Sequence, residues 1–141
     1  GYAEQIMAGE DIGEELRPVV TASAIFHDIG IPAAIRKYGS SAAPYQEEEG
    51  ARVARELLES LDEDDELTER VVYIVGNHHT EERIDGLDFQ LIWEADLLVN
   101  LENREELLQD PDELRRVIDA NFETATGRQL AQRIYLGEEK A

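Results

Sequence analysis

Apolar residues recur along most of the chain at spacings of three and four, which is the pattern of helices that bury one face. The stretch 45–61 shows it clearly, with apolar positions on one side at Ala51, Ala54, Leu57, Leu58 and Leu61. No stretch alternates apolar and polar residues as a half-buried strand does. A further apolar helix begins near Pro18 and runs through Asp28, and the other predicted helices are 2–8, 32–38, 45–61, 66–77, 88–103, 111–120 and 126–136. The pattern therefore predicts an all-α fold.

Short glycine-rich, small-residue or acidic stretches separate these helices, at 10–15, 39–44, 61–66 and 80–86. The tail 137–141 is expected to fray. At 141 residues the chain has the length of one domain, with a core at about 2–103 and a helical extension at 104–141. The first helix begins without a capping residue, so we expect the native protein to continue upstream of Gly1.

Composition narrows the choice of partners. The chain has 13 basic and 33 acidic residues, for a formal net charge of −20. Because Lys and Arg supply most of the affinity for nucleic acids and anionic membranes, we expect neither a nucleic-acid polymer nor a membrane surface as partner. No apolar run approaches the roughly 20 residues that span a bilayer. A small phosphate ester remains compatible with this charge, and a homodimer is left open.

The chain contains no cysteine. A disulfide framework, a thiolate metal site and a cysteine nucleophile are therefore excluded. The absence of cysteine is compatible with a cytoplasmic protein, and we expect that location.

His27 and Asp28 stand together at the end of the apolar stretch 21–26, just before Gly30 and Pro32. Adjacent helical residues point about 100° apart, so the two side chains can converge only on a point beyond the helix end or beside it. A metal ion is such a point. Nitrogen and carboxylate ligands suit Mn, Fe, Co, Ni, Zn or Mg, and a cation would offset the cost of burying the carboxylate.

The two other histidines are neighbours, His78 and His79, and they follow an apolar helix. Two imidazoles in a turn can point at one cavity and contact a metal or a phosphate. The alternative is that they cap the helix, because imidazoles suit the carbonyl end of a helix dipole. From these residues alone we favour the cap.

Asp96 lies within an apolar helix and shares a face with Ile92, Trp93 and Val99. Burying a lone carboxylate costs several kcal/mol unless it is paired or binds a metal. Asp96 is therefore a candidate metal ligand, and the alternative is a buried ion pair. Glu94, two positions earlier, faces elsewhere and is expected at the surface.

Two further groups could serve the same site. Glu47, Glu48 and Glu49 begin a helix, where acids complement the helix dipole, but one or two of them could reach His27. Arg36 and Lys37 are a cationic pair in a chain that is poor in basic residues. They are candidate phosphate ligands, against the ordinary alternative of solvated helix charges.

These motifs together resemble the HD-domain superfamily of metal-dependent phosphohydrolases, including a bacterial subgroup of uncharacterised members. The apolar lead-in and doublet, 24–30, look like the family signature, and 94–100 resembles its closing helix. The resemblance runs from about residue 2 to residue 103, and it implies a bundle of about five core helices. The family's first histidine would lie upstream of Gly1, and Gln46 stands where dinuclear members carry a histidine.

The resemblance implies that His27, Asp28 and Asp96 bind a divalent metal, with His78 and His79 as further ligands or substrate contacts. We further expect catalytic roles for Asp28 and for Glu47 or Glu49, and substrate contacts from Arg36, Lys37 and Gln46. The expected activity is hydrolysis of a phosphate ester, with nucleotides among the candidates. The alternatives are a regulatory module that binds a nucleotide or metabolite without turnover, and a purely structural helical domain.

Overall fold

The protein, described here from a computed structural model over residues 1–137, is built from α-helices. In order they are α1 (Tyr2–Gly9), α2 (Arg17–Phe26), α3 (Ile31–Tyr38), α4 (Ala43–Ser60), α5 (Asp65–Asn77), α6 (Leu87–Asn100), α7 (Glu105–Leu108), α8 (Pro111–Asn121) and α9 (Ala125–Tyr135). Short 3₁₀ helices cover Glu81–Arg83 and Leu101–Asn103. Residues 1–137 contain no strand, and the all-α prediction is confirmed. The predicted fraying at 137–141 falls mainly on residues 138–141, outside the described part.

Local chemistry explains most helix boundaries. Proline occupies the first turn of α2, α3, α4 and α8, where its missing N–H costs nothing. Asp64 caps α5 by accepting a hydrogen bond from the Leu67 amide at 3.2 Å. Gly39 ends α3 with a φ of 69°, a conformation that glycine adopts without strain. The predicted helices therefore match the observed ones to within a few residues, and only the four-residue α7 has no predicted counterpart.

The chain divides into two compact units. The α2–α5 unit comprises residues 13–89, and the terminal unit comprises residues 1–12 and 90–141. In the α2–α5 unit, α4 packs against α5 and α3, and α2 packs against α5. Leu58 and Phe89 are buried in this unit, but most of its core consists of small and β-branched side chains that exclude water between these helices: Val20, Ala33, Ala34, Ala54, Val71, Ile74 and Val75. Their small size allows the helix backbones to approach closely.

The closest approach is at Gly30, in the turn between α2 and α3. A Cβ atom there would lie 2.3 Å from the Gln46 carbonyl oxygen and 2.3 Å from the Gly50 nitrogen. Both neighbours are backbone atoms, so they cannot rotate away as a side chain would. Gly30 therefore holds the segment that carries His27 and Asp28 directly against α4.

In the terminal unit α1 packs against α9, and α8 packs against α7 and α9. Glu94 corrects our expectation of a surface acid, because it is fully buried. Its Oε2 accepts hydrogen bonds from Gln90 Nε2 (2.7 Å) and from the amides of Glu123 (2.9 Å) and Thr124 (3.1 Å), and its Oε1 accepts one from Thr124 Oγ1 (2.6 Å). Glu94 thus ties α6 to the first turn of α9.

One stretch, Arg17–Tyr38, contains an 18-residue window with a mean hydropathy of 1.4, and by length and composition alone it could cross a membrane. This differs from our expectation that no run approaches such a length. It is weak evidence, because the core helix of a soluble protein meets the same criteria. In the structure α2 ends at Phe26 and α3 begins at Ile31, so a turn carrying His27 and Asp28 interrupts the stretch.

Candidate metal centre

His27 is the first residue after α2, and its ring is oriented by the end of that helix. Its Nδ1 lies 2.7 Å from the Ala24 carbonyl oxygen, one of the last carbonyls of α2. Because a carbonyl only accepts hydrogen bonds, Nδ1 carries the proton. In the neutral ring, Nε2 then keeps its lone pair, and it lies 3.1 Å from Asp28 Oδ2. Nε2 and Oδ2 would then face each other with their lone pairs and repel. The contact is favourable only if the ring carries a second proton or a cation lies nearby.

Asp28 is more exposed than a buried doublet would predict. Its side chain is 54% accessible, whereas that of His27 is 25% accessible. When the His27 ring carries its second proton, Nε2 donates a hydrogen bond to Asp28, and this bond is the main cause that lowers the pKa of Asp28, while burial opposes it. Asp28 is therefore a carboxylate at neutral pH, with room for a ligand on its open side.

His78 repeats the geometry of His27 at the end of α5. Its Nδ1 donates to the Val75 carbonyl oxygen at 2.7 Å, which again leaves Nε2 as the lone-pair nitrogen of the neutral ring. This Nε2 lies 3.0 Å from Gln46 Oε1 and 4.0 Å from Asp28 Oδ1. The rings of His27 and His78 lie 5.6 Å apart, edge to face. The capping interpretation of His78 is thus correct for one nitrogen, and the other points towards Asp28.

Side chains from α4 hold the His78–His79 turn in place. Gln46 Oε1 lies 2.8 Å from His79 Nε2, and its Nε2 donates to the Ser41 carbonyl oxygen at 3.3 Å. Glu47 Oε2 accepts hydrogen bonds from the His79 amide and from Thr80 Oγ1, both at 2.9 Å. The turn after α5 is therefore tied to the first turns of α4 by two side chains.

These distances fit a divalent cation. Neighbouring ligand atoms in an octahedral shell with bonds of about 2.1 Å lie about 3.0 Å apart. The contacts of His27 with Asp28 (3.1 Å) and of His78 with Gln46 (3.0 Å) have this separation. Both imidazoles are also oriented through Nδ1 by a backbone carbonyl, as metal-binding histidines usually are. The donor set of nitrogens and oxygens suits Mn, Fe, Co, Ni, Zn or Mg, as predicted.

The structure does not bring every predicted residue to this cluster. Glu49 is 2% exposed, but its carboxylate contacts Arg52 and Lys37 rather than a histidine. Arg36 and Lys37 line a separate cavity with Arg52. Sequence reasoning missed Arg52, although its position three residues after Glu49 is the spacing of a helical ion pair.

Asp96 lies in the stretch of α6 that belongs to the terminal unit, and it is partly buried. The sequence analysis assigned Asp96 as a third metal ligand beside His27 and Asp28. That assignment stays a prediction.

A family model for the HD domain matches residues 3–122. The chain belongs to the HD-domain family. The match covers nearly all of α1 to α8, so the resemblance seen in the doublet extends beyond the predicted core. Members of this superfamily are generally metal-dependent hydrolases, and HD domains bind divalent metals. Neither a curated protein nor a solved structure matched the chain significantly.

Proposed function

We propose that this HD-domain protein is a metal-dependent phosphohydrolase that acts on a small phosphate ester, with nucleotides as the first substrates to test. One observation carries the proposal. The Nδ1 atoms of His27 and His78 are both bound to helix-end carbonyls, which leaves both Nε2 atoms on the side of the Asp28 carboxylate, at 3.1 and 4.0 Å, with that of His78 also 3.0 Å from Gln46 Oε1. A structural hydrogen-bond cluster would not require two imidazoles in the same tautomer facing one carboxylate.

In this proposal His27 and Asp28 hold the metal, with Asp96 as the late aspartate that the family resemblance assigns. His78, His79 and Gln46 lie beside them as further ligands or as contacts to the substrate. When bound, the metal supplies an activated water and polarises the phosphoryl oxygen. Asp28 accepts a hydrogen bond from the attacking water and orients it, because its open side faces solvent.

Glu47 has a different role in this mechanism from the one we predicted. Both of its oxygens already bind Thr80, and one also binds the His79 amide. It therefore positions the His79 turn rather than acting as a base.

Metal content and turnover test the proposal together. The full chain is loaded separately with Mn, Fe(II), Co, Ni, Zn and Mg, its metal content is measured by mass spectrometry, and phosphate release is followed on a panel of nucleotides. Asp28→Asn and His27→Gln should each lose bound metal and activity. Asp62→Asn is the matched control, because Asp62 is exposed and has a φ of 56°, which asparagine tolerates. Undiminished metal content in both site variants would refute the proposal.

The presence of Gln46 supports the alternative that the protein is a regulatory binding module. A neutral amide oxygen contacts both His78 and His79, so this part of the centre has less negative charge than a carboxylate would provide. A sensing module predicts that a nucleotide raises the melting temperature of the metal-loaded protein while no product forms. Formation of product from any substrate on the panel would exclude the regulatory module.

A further inference from the structure

A polar cavity that opens widely to solvent lies between α3 and α4, with a volume of about 390 Å³. Its walls are formed by Ala33, Arg36, Lys37, Glu49 and Arg52. Three of the 13 basic residues of a chain with a net charge of −20 thus surround one cavity, with a single carboxylate among them. Three cations around one cavity are unusual in a chain whose net charge is −20, and they call for an explanation.

Glu49 organises the cavity. It is 2% exposed, and its Oε1 lies 3.0 Å from Arg52 Nη2, while its Oε2 lies 3.6 Å from Lys37 Nζ. Arg52 also binds Glu56 at 3.1 Å on its outer side. One buried carboxylate therefore fixes two cationic side chains that would otherwise move freely in solvent.

The simplest alternative is that these cations only neutralise Glu49. Arg52 alone does so, because its Nε and Nη2 both donate to Oε1 of the carboxylate. Lys37 adds a second positive charge, and Arg36 adds a third that forms no ion pair within residues 1–137. Glu49 and Glu56 pair with Lys37 and Arg52, so Arg36 is the cation of this cavity that remains for an anion. The side chain of Lys37 is further placed by the Tyr38 ring, whose centroid is 5.2 Å from Nζ.

The cavity is close to the candidate metal centre along both α3 and α4. Glu49 is three residues beyond Gln46 on α4, a rise of about 4.5 Å. Ala33 follows Asp28 by five residues, and the contact of Gly30 with Gly50 presses the turn between them onto α4. A substrate that extends from the histidine cluster along α3 would meet Arg36 and Lys37 next.

We propose that this cavity binds a second phosphate group of the substrate, so that the preferred substrates are phosphate esters with two or more phosphates. The inference rests on the proposed function of the neighbouring centre. Arg36 binds the distal phosphate with its planar guanidinium, and Lys37 adds a point charge. Arg52 contributes its remaining N–H groups, and Glu49 is a positioning residue that holds Lys37 and Arg52 in place.

Direct binding tests the cavity without turnover. Inorganic pyrophosphate and inorganic phosphate are titrated into the full chain by calorimetry in the presence of EDTA, so that no metal centre contributes. Pyrophosphate should bind more tightly than phosphate, and Arg36→Gln should weaken it by about tenfold, the effect of one charge-assisted hydrogen bond. Arg55→Gln is the matched control, since Arg55 lies on α4 but pairs with Glu69 and Glu59 and does not line the cavity. Equal binding by the two variants would overturn the inference.

Kinetics with metal separates this inference from the proposed function. Arg36→Gln should raise KM for a nucleoside diphosphate by about tenfold and leave KM for the monophosphate nearly unchanged. If the protein hydrolyses both substrates and the variant raises both KM values equally, the second phosphate site is refuted while the proposed function stands. If no ester is hydrolysed but pyrophosphate binding depends on Arg36, the cavity is supported as an anion site and the phosphohydrolase proposal fails.

Discussion

The buried carboxylate of Glu94 offers the sharpest test of the fold, and we predict that Glu94→Gln destabilises the protein. The substitution keeps the size of the side chain and removes its charge. All four groups that contact the carboxylate are donors: the Gln90 amide, the Thr124 hydroxyl and the backbone N–H groups of Glu123 and Thr124. A glutamine amide has one oxygen and one NH₂ group, so it matches only part of this arrangement.

The magnitude follows from the better of the two amide orientations. With its oxygen at the Oε2 position, the substituted side chain keeps three hydrogen bonds, and its NH₂ group donates to Thr124 Oγ1 instead of accepting. Replacing a charged acceptor by a neutral one weakens each of the three bonds by about 1 kcal/mol. Removing a buried charge recovers part of that loss. We therefore expect a net loss of about 2 kcal/mol in the free energy of unfolding, which is about 4–8 °C in Tm for a chain of this length.

Urea unfolding and thermal melting, followed by circular dichroism, measure this loss. Glu102→Gln is the control, because Glu102 is exposed and the substitution should change Tm by less than about 1 °C. Glu94→Ala should lose more than Glu94→Gln, since it leaves the buried donors without any acceptor. A Glu94→Gln protein that melts at the native temperature would refute the claim that the charge at this position stabilises the fold.

Two further predictions concern the α2–α5 unit. Gly30→Ala should lower the free energy of unfolding by about 3 kcal/mol, because its Cβ would meet backbone atoms at 2.3 Å. Gly1→Ala is the control, since the space around Gly1 is open. Equal urea midpoints for the two variants would exclude the close approach at Gly30. The hydrogen bond from Arg70 lowers the pKa of Asp85, so its stabilisation is complete above about pH 4 and disappears as the pH falls through the lowered value. Asp85→Asn should cost about 0.5 kcal/mol at pH 7 and nothing in strong acid, as measured by urea titrations at several pH values; a pH-independent difference would contradict this.

The helices were largely predictable because their boundaries depend on local chemistry. Proline in a first turn, the Asp64 cap and the left-handed Gly39 act within four residues of their own positions. Boundaries that depend on such contacts can be read from the sequence. The helix α7 was missed because four residues are too few to show a periodic pattern.

The candidate centre was predictable in part. The bonds from Nδ1 of His27 and His78 reach carbonyls three residues earlier, so the orientation of each imidazole is a local property of a histidine at a helix end. The atoms that face Nε2, in contrast, are not determined by the local sequence. Gln46 lies 32 positions before His78, and nothing in the local sequence indicates their contact.

Glu94 and Glu49 show why the remaining assignments were missed. Helical phase gives the direction in which a side chain points on its own helix, but not what covers that direction. Glu94 was expected at the surface, and the segment before α9 covers it. Glu49 was one of the acids expected to reach the histidines, but it forms an ion pair with Lys37 of α3 in the neighbouring cavity instead.

The sequence by itself determined the all-α class, most helix boundaries and the family, and it named His27 and Asp28 as candidate ligands, because each of these depends on residue type and short-range spacing. The tertiary structure alone decided that Gln46 and Glu47 hold the His78–His79 turn, that Glu94 is buried, and that Arg36, Lys37 and Arg52 surround one cavity. The physical reason is that a side chain's energy depends on the dielectric environment and the partners that distant segments place around it.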